Sequence, residues 1–221
     1  CVIENNLVPQ GAAPVKLAYA GSMFRAERPQ SGRFREFYQL GVECIGSDSV
    51  FMEAECIIML AQFLEDFGIK PEITCILINS IGCEKCRDVY RKKLVVFLKS
   101  QESKFCEECY RRAETNPLRV FDCKKLRCVA VMKDAPTIDQ YICEDCRKKF
   151  EQLKKLLKLG AVQYVEAPHL VRGLDYYTAN VFEVQVDSES TGLGAQNAIG
   201  GGGAYAHLVK VLGGSDLLGF G

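Results

Sequence analysis

The chain has 221 residues, with 28 Lys and Arg against 28 Asp and Glu, 48% hydrophobic residues and 25% charged residues. This composition excludes general disorder and favours one domain, or one domain with a sizeable insertion. No window approaches the roughly 18 apolar residues of a membrane span, and no signal peptide is recognisable, so we expect a soluble, intracellular protein. The chain begins at Cys1 and ends on residues 218–221 with no predicted final element, so we expect a piece of a longer protein.

An antiparallel hairpin is predicted first, with strands from Lys16 to Ala26 and from Glu36 to Cys44 around the polar loop 28–35. Because strand side chains alternate, one polar face carries Met23, Arg25, Glu27, Phe37, Gln39, Gly41 and Glu43. The opposite face, which we expect to meet the core, carries Phe24, Ala26, Tyr38, Leu40 and Val42. The polar face is either solvated or binds a ligand, since an Arg beside fixed carboxylates suits a zwitterion or a nucleotide.

A helix capped by Ser47 or Ser49 is then predicted to reach about Phe67, followed by a buried strand over 73–79. Later in the chain, a helix ends at Gly160, strands cover 162–165 and 176–186, and a short helix covers 205–212. The glycine-rich stretch 192–203 is predicted as a turn or flexible loop. Strands with few intervening helices predict an α+β fold, an antiparallel sheet flanked by helices.

The segment from Cys83 to Lys158 differs from the rest in charge and in cysteine content. It has 20 Lys and Arg against 12 Asp and Glu, a net charge of +8, and eight of the 12 cysteines. We therefore predict a cysteine-rich, mainly helical insertion domain at 83–158 between two parts of a host domain, 1–82 and 159–221. Its basic charge favours a polyanionic partner, although a solvated basic face is the alternative.

The cysteines of this segment form three CxxC pairs and one looser pair: Cys83 and Cys86, Cys106 and Cys109, Cys143 and Cys146, and Cys123 and Cys128. Two pairs with this spacing complete a tetrahedral four-cysteine zinc site, so eight cysteines predict two structural Zn²⁺ ions. Free thiols are the main alternative, and redox pairs or intracellular disulfides are less favoured. The spacing does not say which pairs share an ion.

Two sequence blocks resemble the histidyl-tRNA synthetases, which are class II aminoacyl-tRNA synthetases. Residues 23–43, MFRAERPQSGRFREFYQLGVE, resemble motif 2 of that class. Residues 170–178, LVRGLDYYT, resemble the first histidine motif of the family, and residues 198–214 resemble the second. The resemblance implies an antiparallel sheet flanked by helices and ATP-dependent activation of histidine, followed by transfer to tRNA(His).

The resemblance also implies roles for the charged residues. Arg25 is expected to bind the histidine carboxylate and the ATP α-phosphate, Glu27 the adenine amino group, and Arg33 the outer phosphates, with Mg²⁺ accompanying ATP. Arg172 is expected to be the catalytic cation together with Arg25, and to contact histidine as well. The catalysis implied is electrostatic, without a covalent enzyme intermediate.

The histidine pocket implied by the resemblance has four further residues. Gln39 and Glu43 are expected to receive the amino acid, with Glu43 facing the α-ammonium. Tyr177 and Tyr205 are expected to line the imidazole pocket. The family pattern Gly-Gly-Arg-Tyr-Asp is replaced here by residues 202–206, Gly-Gly-Ala-Tyr-Ala, so Tyr205 is kept while its charged neighbours are absent.

The resemblance implies a cytoplasmic homodimer in which segment 83–158 embraces the acceptor arm of tRNA(His). Motif 1, motif 3, the Glu-bearing segment before motif 2 and the anticodon-binding domain of the family lie outside residues 1–221, so we expect this piece alone to be weakly active or inactive. A noncatalytic paralogue that senses histidine, such as the regulatory subunit of ATP phosphoribosyltransferase, is the alternative. A zinc-bearing RNA-binding module on an inert scaffold is a third hypothesis.

Overall fold

The structure is a computed structural model, and it describes residues 2–5, 7, 14–26, 29, 32–171, 176–187, 197–206, 208–214 and 217–221. Its strands are β1 (Val15–Phe24), β2 (Glu36–Ile45), β3 (Thr74–Gly82), β4 (Tyr164–Glu166), β5 (Tyr177–Val186), β6 (Ala198–Tyr205) and β7 (Gly219–Phe220). They form one seven-stranded sheet in the order β1-β2-β7-β6-β5-β3-β4.

Helices flank the sheet and fill the chain between β3 and β4. The α-helices are α1 (Val50–Asp66), α2 (Glu84–Ser100), α3 (Glu107–Thr115), α4 (Leu126–Met132), α5 (Glu144–Leu159) and α6 (Leu208–Val211). Short 3-10 helices cover Pro71–Ile73, Glu102–Lys104, Pro117–Asp122 and Ile138–Gln140. Among the described residues, no helix combines the length and apolar character needed to cross a membrane.

The predicted sheet flanked by helices is confirmed, but the prediction of an antiparallel sheet is only partly right. Strand β4 pairs with β3 in the parallel direction, with Ile76 opposite Tyr164, whereas β1–β2 and β3–β5 are antiparallel. The reason is the connection. The chain leaves β3, passes through α2 to α5 and re-enters the sheet beside β3, and a crossover of this length allows a strand to return in the same direction. The sheet is therefore mixed.

The main core lies between the sheet and the pair α1 and α5. Ser49 caps α1, because its side chain accepts a hydrogen bond of 3.3 Å from the Phe51 backbone N–H. Behind the cap, Ile57 of α1 packs with Leu153 of α5 over Ile78 of the sheet, all three being almost fully buried. Each such side chain stabilises the fold by about 1.5–3 kcal/mol through burial.

The prediction that the apolar face of the hairpin meets the core is wrong for Phe24, Tyr38 and Leu40 and right for Val42, which packs against the core. Phe24, Tyr38 and Leu40 are 74%, 84% and 50% exposed. The hairpin joins the rest of the sheet through short pairing at Cys44 and Ile45, and these two residues are buried. The part of the hairpin beyond this junction extends past the edge of the sheet, so its apolar side chains are exposed there, whereas Val42 packs against the core and Glu43 contacts Tyr205.

The glycine-rich stretch and the chain end also differ from expectation. Of the predicted loop 192–203, residues 198–203 lie in strand β6, which pairs with β5 on one side and β7 on the other, and residues 192–196 lie outside the described residues. Strand β7 is itself a final element that the sequence did not predict. Gly203 N–H donates to the Gly221 carbonyl over 2.9 Å, so the run is ordered by backbone hydrogen bonds on both sides.

Candidate active site and metal-binding clusters

Gln39 and Tyr19 form the first polar contact on the predicted ligand face of the hairpin. Gln39 Nε2 donates a hydrogen bond of 2.7 Å to Tyr19 Oη. Tyr19 is the register partner of Gly41, and its ring lies over that glycine, since an added Cβ would come within 2.2 Å of Tyr19 Cζ. A glycine at this position therefore leaves room for the ring that orients Gln39.

Glu43 and Tyr205 form the second polar contact, and they come from strands far apart in sequence. Tyr205 Oη donates a hydrogen bond of 2.8 Å to Glu43 Oε2, and Tyr205 is 5% exposed. Burial raises the pKa of Glu43, and the hydrogen bond from Tyr205 opposes that rise. Burial, together with the nearby Glu43 carboxylate, also raises the pKa of Tyr205, which therefore stays a neutral donor.

Aromatic rings form one wall of the same region. Tyr177 lies directly opposite Tyr205 in the β5–β6 register. The ring of Tyr176 lies 4.6 Å from that of Tyr177 and meets that of Tyr205 edge-on at 6.3 Å, measured between centroids. The predicted pocket residues Tyr177, Tyr205 and Glu43 are thus brought together, with Gln39 further along the hairpin.

Of the predicted ATP-binding residues, Arg25 and Arg33 are described. Arg25 follows β1, its backbone N–H donates to the Arg35 carbonyl over 2.9 Å, and its guanidinium carbon lies 3.6 Å from the centroid of the Phe37 ring. That ring fixes a cation on the ligand side of the hairpin. Arg33 lies in the hairpin loop. Glu27 and Arg172 lie outside the described residues, so their predicted roles stay predictions.

The eight predicted metal ligands form two groups that the sequence did not pair. The first cysteine cluster is Cys83, Cys86, Cys143 and Cys146, and the second cysteine cluster is Cys106, Cys109, Cys123 and Cys128. In each cluster all four sulfurs lie within 4.8 Å of one another. A tetrahedral zinc ion with bonds of about 2.3 Å separates its sulfurs by about 3.8 Å, so both clusters fit that ion in number, type and spacing of donors.

Helix starts position the CxxC sulfurs. Cys83, Cys106 and Cys143 are the N-cap residues of α2, α3 and α5, and the second cysteine of each pair is the third residue of its helix. Both sulfurs of a pair therefore lie at the end of the helix where N–H groups are free to donate. Cys128 occupies the same helical position in α4, but its partner Cys123 comes from the chain before the helix.

Hydrogen bonds from backbone N–H groups lower the pKa values of two of these cysteines, which favours the thiolate form that binds metal. The hydrogen bond from the Cys109 backbone lowers the pKa of Cys106 to about 6, and that from Cys146 lowers the pKa of Cys143 to about 7. Burial, by contrast, raises the pKa values of Cys109 and Cys146. Part of each cluster is thus anionic at neutral pH, and binding of a metal ion would release protons from the remainder.

Two residues of the candidate pocket, Tyr19 and Tyr176, were missed by the sequence analysis. A signal for Tyr19 existed, because a hairpin register with Glu36 opposite Phe24 places Tyr19 opposite Gly41. A signal for Tyr176 existed as well, because it directly precedes Tyr177 in the block 170–178 that resembles the first histidine motif. Its contact with Tyr205 depends on the pairing of β5 with β6, and the sequence analysis predicted a loop instead of β6.

A sequence profile of the family described as histidyl-tRNA synthetase matches residues 3–221. The chain belongs to the histidyl-tRNA synthetase family. A histidine–tRNA ligase of Thermosipho melanesiensis is 48% identical over 214 residues, which are 97% of this chain and 49% of that protein. The chain therefore spans about half the length of the curated relatives it matches.

Solved structures show the same relationship. The crystal structure of apo histidyl-tRNA synthetase from S. aureus has a TM-score of 0.74 and 32% identity, covering 99% of this chain and 50% of that one. A protein described as an ATP phosphoribosyltransferase regulatory subunit/histidyl-tRNA synthetase, from Bacillus halodurans, has a TM-score of 0.61 at 20% identity, covering 99% of this chain and 59% of that one. The second likeness shows a shared fold alone.

Proposed function

We propose that this chain carries the histidine-activating core of a histidine–tRNA ligase. The observation that supports this most is the pair Glu43 and Tyr205, a half-buried carboxylate and a buried phenol 2.8 Å apart beside the aromatic wall. In the proposal Glu43 receives the α-ammonium of histidine, with Gln39 nearby. Tyr177 and Tyr205 flank the imidazole, and a wrong amino acid would leave polar groups of the pocket without a hydrogen-bond partner.

The proposed reaction has two steps. In the first, a carboxylate oxygen of histidine attacks the α-phosphorus of ATP, an O–P bond forms, and the bond to the bridging oxygen breaks as pyrophosphate leaves. Arg25 binds the carboxylate and the α-phosphate, Arg33 the outer phosphates with Mg²⁺, Glu27 the adenine, and Arg172 the charge at the phosphorus. In the second step, a terminal ribose hydroxyl of tRNA(His) attacks the histidyl carbonyl and AMP leaves.

Segment 83–158 is proposed to contact the acceptor arm of tRNA(His). Its net charge of +8 supports this, because Lys and Arg side chains gain affinity for phosphates by releasing counterions. Arg111 and Lys148, for example, have side chains that are 70% exposed on α3 and α5. We also propose homodimerisation of the protein at its natural full length, and the exposed Phe24, Tyr38 and Leu40 support a covering partner for the hairpin.

Each cysteine cluster is proposed to bind one structural Zn²⁺. The support is the convergence of four sulfurs within 4.8 Å at helix starts in both clusters. Four thiolates close the coordination sphere of zinc and leave no open position for a reacting water, so the role is structural. Metal analysis of the purified protein tests the proposal, and a zinc content near zero would contradict it.

Calorimetric titration with histidine tests the pocket. We expect selective binding of histidine over other amino acids, and a loss of about tenfold or more in affinity for Glu43→Gln, because a charge-assisted hydrogen bond to the ammonium is lost. Glu36→Gln is the matched control, since Glu36 lies on the same strand but is exposed on the opposite face. Equal affinities of the wild-type protein and Glu43→Gln would refute the assignment.

A histidine sensor without catalysis is the second candidate function. Ala204 and Ala206 favour it, because the family pattern has an Arg and an Asp at these positions beside the retained Tyr205. Histidine-dependent exchange of pyrophosphate into ATP, measured on the protein at its natural full length, separates the two. Exchange supports the ligase, whereas selective histidine binding without exchange supports the sensor.

A further inference from the structure

The first cysteine cluster joins the two points where segment 83–158 leaves and re-enters the sheet region. Cys83 and Cys86 directly follow β3, whereas Cys143 and Cys146 begin α5, which packs on the sheet. The two pairs also bond reciprocally. Cys83 N–H donates to Cys146 Sγ over 3.3 Å, and Cys143 N–H donates to Cys86 Sγ over 3.1 Å. The second cysteine cluster, by contrast, takes its ligands from the middle of the segment, between residues 106 and 128.

The first cysteine cluster touches the end of β3 directly. Gly82 has a φ of +67°, and a Cβ added there would lie 2.6 Å from Cys86 Cβ, so only glycine fits. Gly82 pairs with Ala179 of β5, two residues after Tyr177. A shift of Cys86 would therefore displace Gly82 and strand β5, which contains Tyr177 of the histidine pocket.

Arg87 gives a second connection between the cluster and the pocket. It follows Cys86 in the first turns of α2, and its Nη1 donates a hydrogen bond of 3.1 Å to the Tyr177 carbonyl. The direction of α2 at this point is set by its N-cap Cys83 and by Cys86. The backbone of Tyr177 is thus held by a side chain whose own position depends on the cluster.

We propose that zinc in the first cysteine cluster positions the histidine pocket, with Arg87 as the positioning residue that links them. The inference rests on the proposed histidine and zinc sites and assigns the two clusters different roles. Metal in the first cluster fixes the start of α2, Arg87 fixes the Tyr177 backbone, and Tyr177 presents its ring to histidine. Metal in the second cluster stabilises the segment without affecting the pocket.

Serine variants of the two clusters test this in the protein at its natural full length. Cys143→Ser changes an exposed ligand of the first cluster, and Cys123→Ser changes a half-buried ligand of the second. Each is expected to lower the zinc content. Only Cys143→Ser is expected to weaken histidine binding, by about five- to tenfold, the effect of one hydrogen bond. ATP affinity, which depends on the hairpin, is expected to stay within about twofold in both.

Arg87→Ala tests the connection without disturbing a ligand. It is expected to weaken histidine binding as Cys143→Ser does while leaving zinc content and ATP affinity unchanged. Arg91→Ala is the matched control, since Arg91 lies one turn further along α2 and donates to the Thr115 carbonyl instead of to the Tyr177 carbonyl. Unchanged histidine affinity is expected there.

The outcomes separate this inference from the proposed function. Wild-type protein that contains no zinc or binds no histidine overturns the proposed function and the inference together. Wild-type protein that does both, with Cys143→Ser and Arg87→Ala binding histidine normally, overturns the inference alone. Equal weakening by Cys143→Ser and Cys123→Ser also overturns it, because the clusters would then act only through general stability.

Discussion

Replacing Glu53 with Gln is expected to stabilise the protein at neutral pH and to remove a pH-dependent loss of stability. Glu53 lies near the start of α1 and is 4% exposed. Its Oε2 accepts a hydrogen bond of 2.6 Å from Asn180 Nδ2 in β5. Burial raises its pKa from 4.5 to about 7, although the Asn180 hydrogen bond and the charge of Lys149 oppose the rise.

The size and sign of the effect follow from this pKa. A rise in the pKa of Glu53 from 4.5 to about 7 corresponds to a free energy of about 3 kcal/mol. Between pH 4.5 and about 7 the carboxyl is protonated in the folded state and ionised in the unfolded state, so the folded state binds more protons. Stability therefore falls as pH rises through this range, and the full cost is present above about pH 7. Glutamine keeps an acceptor for Asn180 but carries no charge to desolvate.

Urea unfolding of the wild-type protein and Glu53→Gln at several values between pH 4.5 and 8 measures the effect. The difference in unfolding free energy between the two is expected to be small near pH 4.5 and to grow to about 3 kcal/mol in favour of the variant near pH 8. Glu55→Gln is the matched control, because Glu55 lies on the same helix in an exposed ion pair with Lys16, worth about 0–1 kcal/mol. A pH-independent difference for Glu53→Gln would refute the reasoning.

Three further predictions concern the pocket and the clusters. Tyr205→Phe removes the donor to Glu43 and is expected to weaken histidine binding about five- to tenfold by calorimetry, and an unchanged affinity would contradict the pocket. Gly41→Ala meets the far end of the partly exposed Tyr19 ring and is expected to lower the unfolding free energy by about 0.5–1 kcal/mol through loss of the Gln39–Tyr19 hydrogen bond, whereas Gly21→Ala, with open space around its Cβ, is expected to change it by less than about 0.5 kcal/mol. Removal of metal by a chelator is expected to reduce helical circular dichroism and lower the Tm, and addition of Zn²⁺ to restore both.

The hairpin shows how much of the candidate site the sequence could predict. Alternation along its strands correctly placed Gln39 and Glu43 on one face, because the side-chain period of a strand is a local property. Alternation could not say which face is covered, since that depends on elements distant in sequence. Tyr38 was therefore expected in the core, but its side chain is 84% exposed.

The glycine run and the cysteines show the same limit. Because glycine has a weak strand propensity, the sequence predicted a loop over residues 192–203. Residues 198–205 nevertheless form strand β6, since pairing with β5 and β7 outweighs that local preference. For the cysteines, CxxC spacing identified the pairs, whereas the assignment of Cys83 and Cys86 to the same cluster as Cys143 and Cys146 follows from the path of α5 back to the sheet. The sequence predicted which cysteines form each pair, but not which pairs lie together in space.

The reciprocal bonding of the first cysteine cluster has a consequence for how the chain between its two pairs can vary. The Cys83 backbone nitrogen and Cys146 Sγ are 3.3 Å apart although 62 residues lie between them. The two ends of this loop are therefore held together however many residues the loop contains. Loop-closure entropy grows only slowly with length, by about 0.6 kcal/mol for each doubling. Residues could therefore be added at exposed turns of the segment with little entropic cost, whereas its buried side chains pack with Ile81, Tyr177 and Val181 of the sheet. The segment is therefore suited to lengthening at its surface, whereas its replacement would expose this part of the sheet.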